Sequence, residues 1–261
     1  MKKRFKFNND FQKELVNNFA KYFSSPFEEY IESNFDWIND DILKINKINS
    51  DSYVVVSLGL EKINVNQISK IISNQNNVSW INFSDNSNCL NHEVLTTNGF
   101  EFLHSYQAMI LKTQNWSHED SLNNQRVKVV ETKSETDIFK NIINQTFDLE
   151  TIDLEKYAHI NEYNLRNNVN HAILIKDDND NYVGTGNIYF DSQYAIIDDI
   201  SVLASARGKG YAKIIMFYLI SYAKKIGKES VLLFGTEDGT PVYEKIGFDL
   251  IDTYMEVFYK K

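Results

Sequence analysis

The chain has 261 residues, a formal net charge of -9, and 43% hydrophobic and 13% aromatic residues. It is apolar enough for packed cores, long enough for two small domains, and lacks the clustered Lys and Arg that a nucleic-acid surface needs. Its one cysteine, Cys89, excludes an intramolecular disulfide and a cysteine-based zinc site within one chain. Lys2, Lys3, Arg4 and Lys6 are followed by FNNDFQKEL where a secretory signal needs an apolar core. No stretch approaches the roughly 18 apolar residues of a membrane span. The expectation is a cytoplasmic protein that uses neither membrane, nucleic acid nor metal.

Phe11, Leu15, Phe19 and Phe23 step by four and predict a helix over 9–24, stopped by Ser24-Ser25-Pro26. A second helical segment runs through Glu29 and Ile31. Then follow a strand from Tyr53 to Leu58, a helix from Val65 to Ile72 and a strand from Val78 to Phe83. A short helix over Asn91 to Thr97 leads to Gly99-Phe100 and a strand from Tyr106 to Leu111. This β-α-β-α-β order favours an α/β layer structure. Residues 113–125, TQNWSHEDSLNNQ, are polar and aperiodic and read as a linker.

The second half opens with a strand at Val127 to Val130, then helices over Thr136 to Phe147 and Leu154 to Asn167. Strands from Ala172 to Lys176 and from Tyr182 to Phe190 flank the turn Asp177 to Asn181. That turn imitates the start of a calcium loop, but Tyr182 stands where glycine is needed and Ile188 where glutamate is needed. It reads as a plain hairpin turn. Gly184 and Gly186 inside the next strand read as close packing.

The central stretch is Tyr194 to Lys225. YAIIDDISVL reads as a buried strand, ASARGKGYA as a turn, and KIIMFYLISYAKK as a helix. Tyr211, Ile214, Ile215, Tyr218, Leu219 and Tyr222 recur at helical spacing. Gly208 and Gly210 leave main-chain N–H groups uncovered at the helix start, a place suited to an anion. A Walker loop is absent, and Lys213 occupies the third glycine position of a dinucleotide fingerprint. A strand at Ser230 to Phe234 follows, then Pro241 at a helix start, Gly247 at its end, and a last strand from Ile251 to Tyr259.

Arg207-x-x-Gly210-x-Ala212 after Ile200-Ser201-Val202, with VYEKIGF over Val242 to Phe248 at the expected distance, resembles the GNAT acyltransferase superfamily. The repeat of Gly99-Phe100 by Gly247-Phe248, each with a tyrosine seven residues after the glycine, makes the first half resemble a diverged copy. In that copy Leu95 takes the place of Tyr243, and no GxG turn follows Leu58. The resemblance implies an α/β fold with an α+β mixed sheet in two tandem GNAT-like domains. Residues 1–112 would be the degenerate or accessory one, 113–125 a linker and 126–261 the catalytic one.

It further implies transfer of an acetyl group from acetyl-CoA to a primary amine, on a small molecule or a peptide, by direct attack in a ternary complex. Arg207, Gly208, Lys209, Gly210, Tyr211 and Ala212 would hold the pyrophosphate, and the edge of Ile200, Ser201 and Val202 the pantetheine arm. Asp198 or Asp199, placed by strand alternation on opposite faces, would receive the amine's proton, unless water does. Tyr243 would protonate the departing thiolate. The alternative is a non-catalytic acyl-CoA-binding regulatory or partner-binding protein.

Overall fold

The computed structural model describes residues 4–5, 43–49, 52–58, 77–84, 92–147, 170–190 and 194–260. The helices expected over 9–24, 65–72 and 154–167, the helical segment through Glu29 and Ile31, the turn after Leu58, and Cys89 lie outside these residues. The chain forms two compact units: residues 1–109 with 234–261, and residues 110–233.

In the first unit the strands are β1 (Arg4–Phe5), β2 (Leu43–Asn49), β3 (Ser52–Leu58) and β4 (Val78–Ser84). Helix α1 (His92–Thr97) and strand β5 (Glu101–Lys112) follow. Strand β2, not anticipated, pairs antiparallel with β3, and its Leu/Ile alternation breaks where the register shifts between Lys47 and Asn49. β3 and β4 run parallel and are paired without interruption from Tyr53↔Val78 to Leu58↔Phe83. One rung is reinforced by side chains: Ser57 Oγ donates to Asn82 Oδ1 (2.9 Å) and Trp80 Nε1 donates to Ser57 Oγ (2.9 Å).

The second unit holds β6 (Val127–Val129), α2 (Lys133–Phe147), β7 (Asn170–Lys176), β8 (Tyr182–Phe190), β9 (Tyr194–Val202), α3 (Tyr211–Lys225) and the start of β10 (Ser230–Gly235). β6 to β9 form an antiparallel succession, and β10 lies parallel to β9. Helices α2 and α3 cover opposite faces. Ser201 Oγ donates to Thr146 Oγ1 of α2 (2.5 Å), while Gly186, on the other face, lies against Ile215 and Leu219 of α3. The β7–β8 turn is a hairpin in which Asp177 accepts from the N–H groups of Asn179 and Asn181 (both 2.9 Å). A Cβ on Gly184 would sit 2.6 Å from Ser201 O and one on Gly186 2.3 Å from Ile215 Cγ2, so both glycines serve close packing.

Helix α2 begins with a capping box. Glu135 accepts from the N–H groups of Glu131 (2.9 Å) and Thr132 (3.0 Å), and its own N–H donates to Thr132 Oγ1 (3.3 Å). These bonds, led by the Glu131 N–H, bring its carboxyl down to about 2. Glu135→Ala is expected to destabilise the second unit by about 1 kcal/mol in urea unfolding, as lost caps do.

The polar stretch 113–125 is no free linker. It forms two 3-10 turns, Thr113–Asn115 and Glu119–Asn123, laid along α3. Trp116 is buried and its Nε1 donates to Ser221 Oγ (2.7 Å). Ser121 Oγ reaches Ser221 Oγ (2.8 Å) and Phe217 O (3.0 Å). The segment lacks periodicity because hydrogen bonds, not an apolar stripe, attach it. It also explains why Ser221 is buried beyond the one face of α3 that the helical spacing defines.

Helix α4 (Thr240–Ile246) and strand β11 (Asp249–Lys260) close the chain within the first unit. β11 pairs antiparallel with β4 from Tyr254↔Ser84 to Lys260↔Val78, and β1 joins it in parallel. The units therefore do not part at 113–125, and residues 234–261 cluster with the first unit instead of the segment that precedes them. The reason is this ladder and its core, in which Phe258 packs with Val55, Trp80, Leu95 and Phe100. The repeat has a local counterpart: Phe100 N donates to Leu95 O and Phe248 N to Tyr243 O (both 3.1 Å), with Gly99 at φ 85° and Gly247 at φ 116°.

Candidate functional site

Opposite β9, Thr185 pairs with Ser201 and Asn187 with Asp198, so Gly186 faces two residues, Asp199 and Ile200. This is a β-bulge, and Asp199 takes a left-handed conformation there, φ 57°. Three side chains hold it. Thr185 Oγ1 donates to Asp199 O (2.8 Å), Asp199 N–H donates to Asp198 Oδ1 (2.9 Å), and Asn187 Nδ2 donates to Asp199 Oδ2 (3.3 Å). The extra residue breaks the alternation that would put the two aspartates on opposite faces. Asp198 stands opposite Asn187 and Asp199 is bonded by it, so both lie on Asn187's side.

Solvent reaches Asp198, yet the protein crowded around its carboxyl desolvates it and raises its pKa; the Asp199 N–H and the Tyr189 hydroxyl act the other way. Thr185 and Asn187 are fully buried, as is Ser201, and Tyr189 nearly so. None of Thr146, Thr185, Asn187 and Tyr189 was singled out from sequence. The signal was there: β8 places Thr185, Asn187 and Tyr189 two apart, a polar row that a buried face carries only when it is hydrogen-bonded.

The other edge of β9 is paired with β10 only at Tyr194, Ala195 and Ile196. Among the described residues, Ile197 to Val202 have no ladder partner on that edge, so their main chain can take an extended ligand as an added strand.

Beyond Val202 the chain makes a 3-10 turn, Ala204–Ala206, and reaches Gly208 (φ 78°) and Gly210 (φ 84°) before α3. Arg207 Nε donates to Val202 O (3.1 Å) and pins the loop to the strand end. The first main-chain bond of the helix is Ile214 N to Gly210 O (3.2 Å). Among the described residues, the N–H groups of Gly208 to Lys213 have no main-chain acceptor. These donors and the positive end of α3 make a cradle in which an anion could be held. A Cβ at Gly208 or Gly210 would meet nothing within 4 Å, so glycine is needed there for its φ and for an open approach, not for room inside the protein. Tyr211 is buried and offers only its main chain, whereas Lys209 and Lys213 are exposed.

Tyr243 belongs to α4, in the first unit, while Asp198 to Ala212 lie together in the second. Its ring is half-buried, 6.2 Å from that of Phe248, and lies over Gly235 and Gly239, where an added Cβ would come within 3.3 Å and 3.1 Å of it. Pro241 opens this helix and Gly247 ends it, as the sequence suggests.

On the far side of the second unit His171 stacks on Tyr222, centroids 3.8 Å apart, with Tyr218 beside it. Burial lowers its pKa to about 4. The unfolded imidazole protonates near 6.5, so the stability of the neutral form is full above that pH and is lost as pH falls through about 4. The loss is on the order of 3 kcal/mol. His171→Phe, which keeps the stack, is expected to flatten the unfolding midpoint between these two pH values.

A mixed sheet whose bulged strand runs through a glycine turn into a helix is an α/β arrangement that places helix N–H donors where an anion could be held. Residues 137–248 match the model of the acetyltransferase (GNAT) family. The chain is also 31% identical over 81 residues to the uncharacterized N-acetyltransferase CgeE of Bacillus subtilis, a match spanning 30% of this chain and 31% of that protein. The fold resembles a GCN5-related N-acetyltransferase-like protein from Streptococcus suis (TM-score 0.52, 15% identity, 95% of this chain and 99% of that one). It also resembles a GCN5-related N-acetyltransferase from Kribbella flavida (TM-score 0.53, 12% identity, 80% and 81% covered).

Proposed function

We propose that the protein transfers an acetyl group from acetyl-CoA to a primary amine by direct attack. The observation that carries this reading is the anion cradle at Gly208 to Lys213, continuous with the unpaired edge of β9. The main-chain N–H groups of Gly208, Lys209, Gly210, Tyr211 and Ala212, with Arg207 pinning the loop, would take the pyrophosphate. Ile200, Ser201 and Val202 would pair with the pantetheine arm, and one of their N–H groups would face the thioester oxygen as charge develops on it. The amine is neutral when it attacks. Its nitrogen forms the C–N bond, the C–S bond breaks, Tyr243 gives a proton to the departing thiolate, and the proton released by the attacking nitrogen restores the Tyr243 hydroxyl through water.

The test is thiol release from acetyl-CoA with a panel of primary amines, on the full chain. At least one amine is expected to accelerate release, and Tyr243→Phe to lower kcat by about 100-fold, the lower end of general-acid effects. Unchanged turnover in Tyr243→Phe would remove that residue from the mechanism. Donor binding without release for any amine would favour a non-catalytic acyl-CoA-binding protein.

A further inference from the structure

The two aspartates of the bulge are not equivalent, and what separates them lies on the neighbouring strand. Asp199 is held at both ends: its carboxylate accepts from Asn187 Nδ2 (3.3 Å) and its carbonyl from Thr185 Oγ1 (2.8 Å). Asp198 caps the Asp199 N–H through Oδ1 and is reached by solvent. Asn187 itself is fully buried, directly across from Asp198. A buried amide that donates to one of two neighbouring carboxylates favours the charged form of that one, because a donated hydrogen bond stabilises the ionised form of its acceptor.

We propose that Asn187 is a positioning residue that commits Asp199 to holding the acceptor's ammonium as a fixed carboxylate and leaves Asp198 to take its proton. The assignment rests on the transferase reading above. The ammonium gives one proton to Asp198, which passes it to water. The freed lone pair forms the C–N bond, the C–S bond breaks, and the nitrogen's second proton ends on the thiolate. Desolvation of Asp198 fits its role, since a carboxyl with a raised pKa is the better base near neutrality. The titratable groups that bear on the pair are the two aspartates and Tyr189 of β8. From α2 it is neutral Thr146 that bonds this face, and α3 on the opposite face brings Ile215 and Leu219 to Gly186.

The experiment is carbon-13 NMR of the full chain labelled at aspartate Cγ, titrated with pH, the two resonances assigned through Asp198→Asn and Asp199→Asn. In Asn187→Leu the Asp199 titration is expected to move to higher pH while Asp198 keeps its own. Should Asn187→Leu not fold, Asn187→Ser, which shortens the side chain out of reach, gives the same readout. A folded variant in which Asp199 titrates as in wild type overturns the proposal. Stabilisation of the wild type by acetyl-CoA, measured alongside, reports on the transferase reading independently. Its absence would remove the reaction while the NMR result still decided whether Asn187 orders the pair.

Discussion

Acetyl-CoA at about 100 times its dissociation constant is expected to stabilise the folded chain by roughly 2.7 kcal/mol, and Gly210→Glu to remove that gain. The argument is electrostatic. The cradle consists of main-chain donors at the positive end of α3, and Gly210 stands in front of it with open space where its side chain would be. A glutamate there projects a carboxylate toward the place the pyrophosphate would occupy, repelling it and competing for the donors. Because Gly210 has φ 84°, any L residue also strains the backbone, by about 1 kcal/mol or somewhat more. Gly210→Ala is therefore the companion variant: it is expected to lower the melting temperature of the unliganded protein but retain a shift with acetyl-CoA. A thermal scan of the three proteins separates the two effects. An undiminished shift in Gly210→Glu would move the donor site away from this loop.

The second large effect is expected on removing β11. A chain ending at Phe248 should lose the folded first unit altogether. β11 inserts Ile251 and Phe258, both essentially without solvent exposure, and Phe258 packs with Val55, Trp80, Leu95 and Phe100. It also brings Glu256, whose buried carboxylate accepts from Asn82 Nδ2 (2.9 Å) and meets His92 Nε2 (3.1 Å). Without the strand a ladder of seven paired positions is gone, and Asn82 keeps its amide in the core without this acceptor. Phe258→Ala alone is expected to cost about 3–5 kcal/mol, a large part of the 5–15 kcal/mol by which native domains are stable. For the same reason residues 1–112 expressed alone should be protease-sensitive and lack a cooperative melt. A sharp unfolding transition from that fragment would contradict the role given to β11.

How far the sequence reached can be seen element by element. The strand at Tyr194 to Val202, the glycine turn and the helix from Tyr211 were legible because each has a local signal: an apolar run, a GxG at a junction, a period of 3.6. The capped end of α4 was legible through Pro241 and Gly247 for the same reason. The bulge was not, since period-two reading assumes an unbroken ladder, and IDDIS contains no glycine to mark the inserted residue; aspartate tolerates the left-handed turn well enough to hide it. The docking of 113–125 escaped because Trp116 and Ser121 act by single hydrogen bonds with no repeating pattern. The placement of β11 beside β4 escaped because a strand's sequence states that it will pair, not with which partner 170 residues away.

The unbroken pairing of β3 with β4 bears on how many donors one chain can carry. In the second unit the parallel pairing of β9 with β10 stops after three rungs, and the edge of β9 it leaves is where an extended arm can lie. In the first unit six rungs run to Leu58↔Phe83, and the Ser57–Asn82 bond closes the rung next to the end. Among the described residues, the pairing of β3 with β4 leaves no strand edge between them for a ligand to complete. A single binding event is therefore expected: calorimetric titration with acetyl-CoA should reach its end point at one equivalent per chain, with plain hyperbolic saturation. Substitutions along β3 and β4 should change how much folded protein there is, and leave the dissociation constant of what is folded untouched.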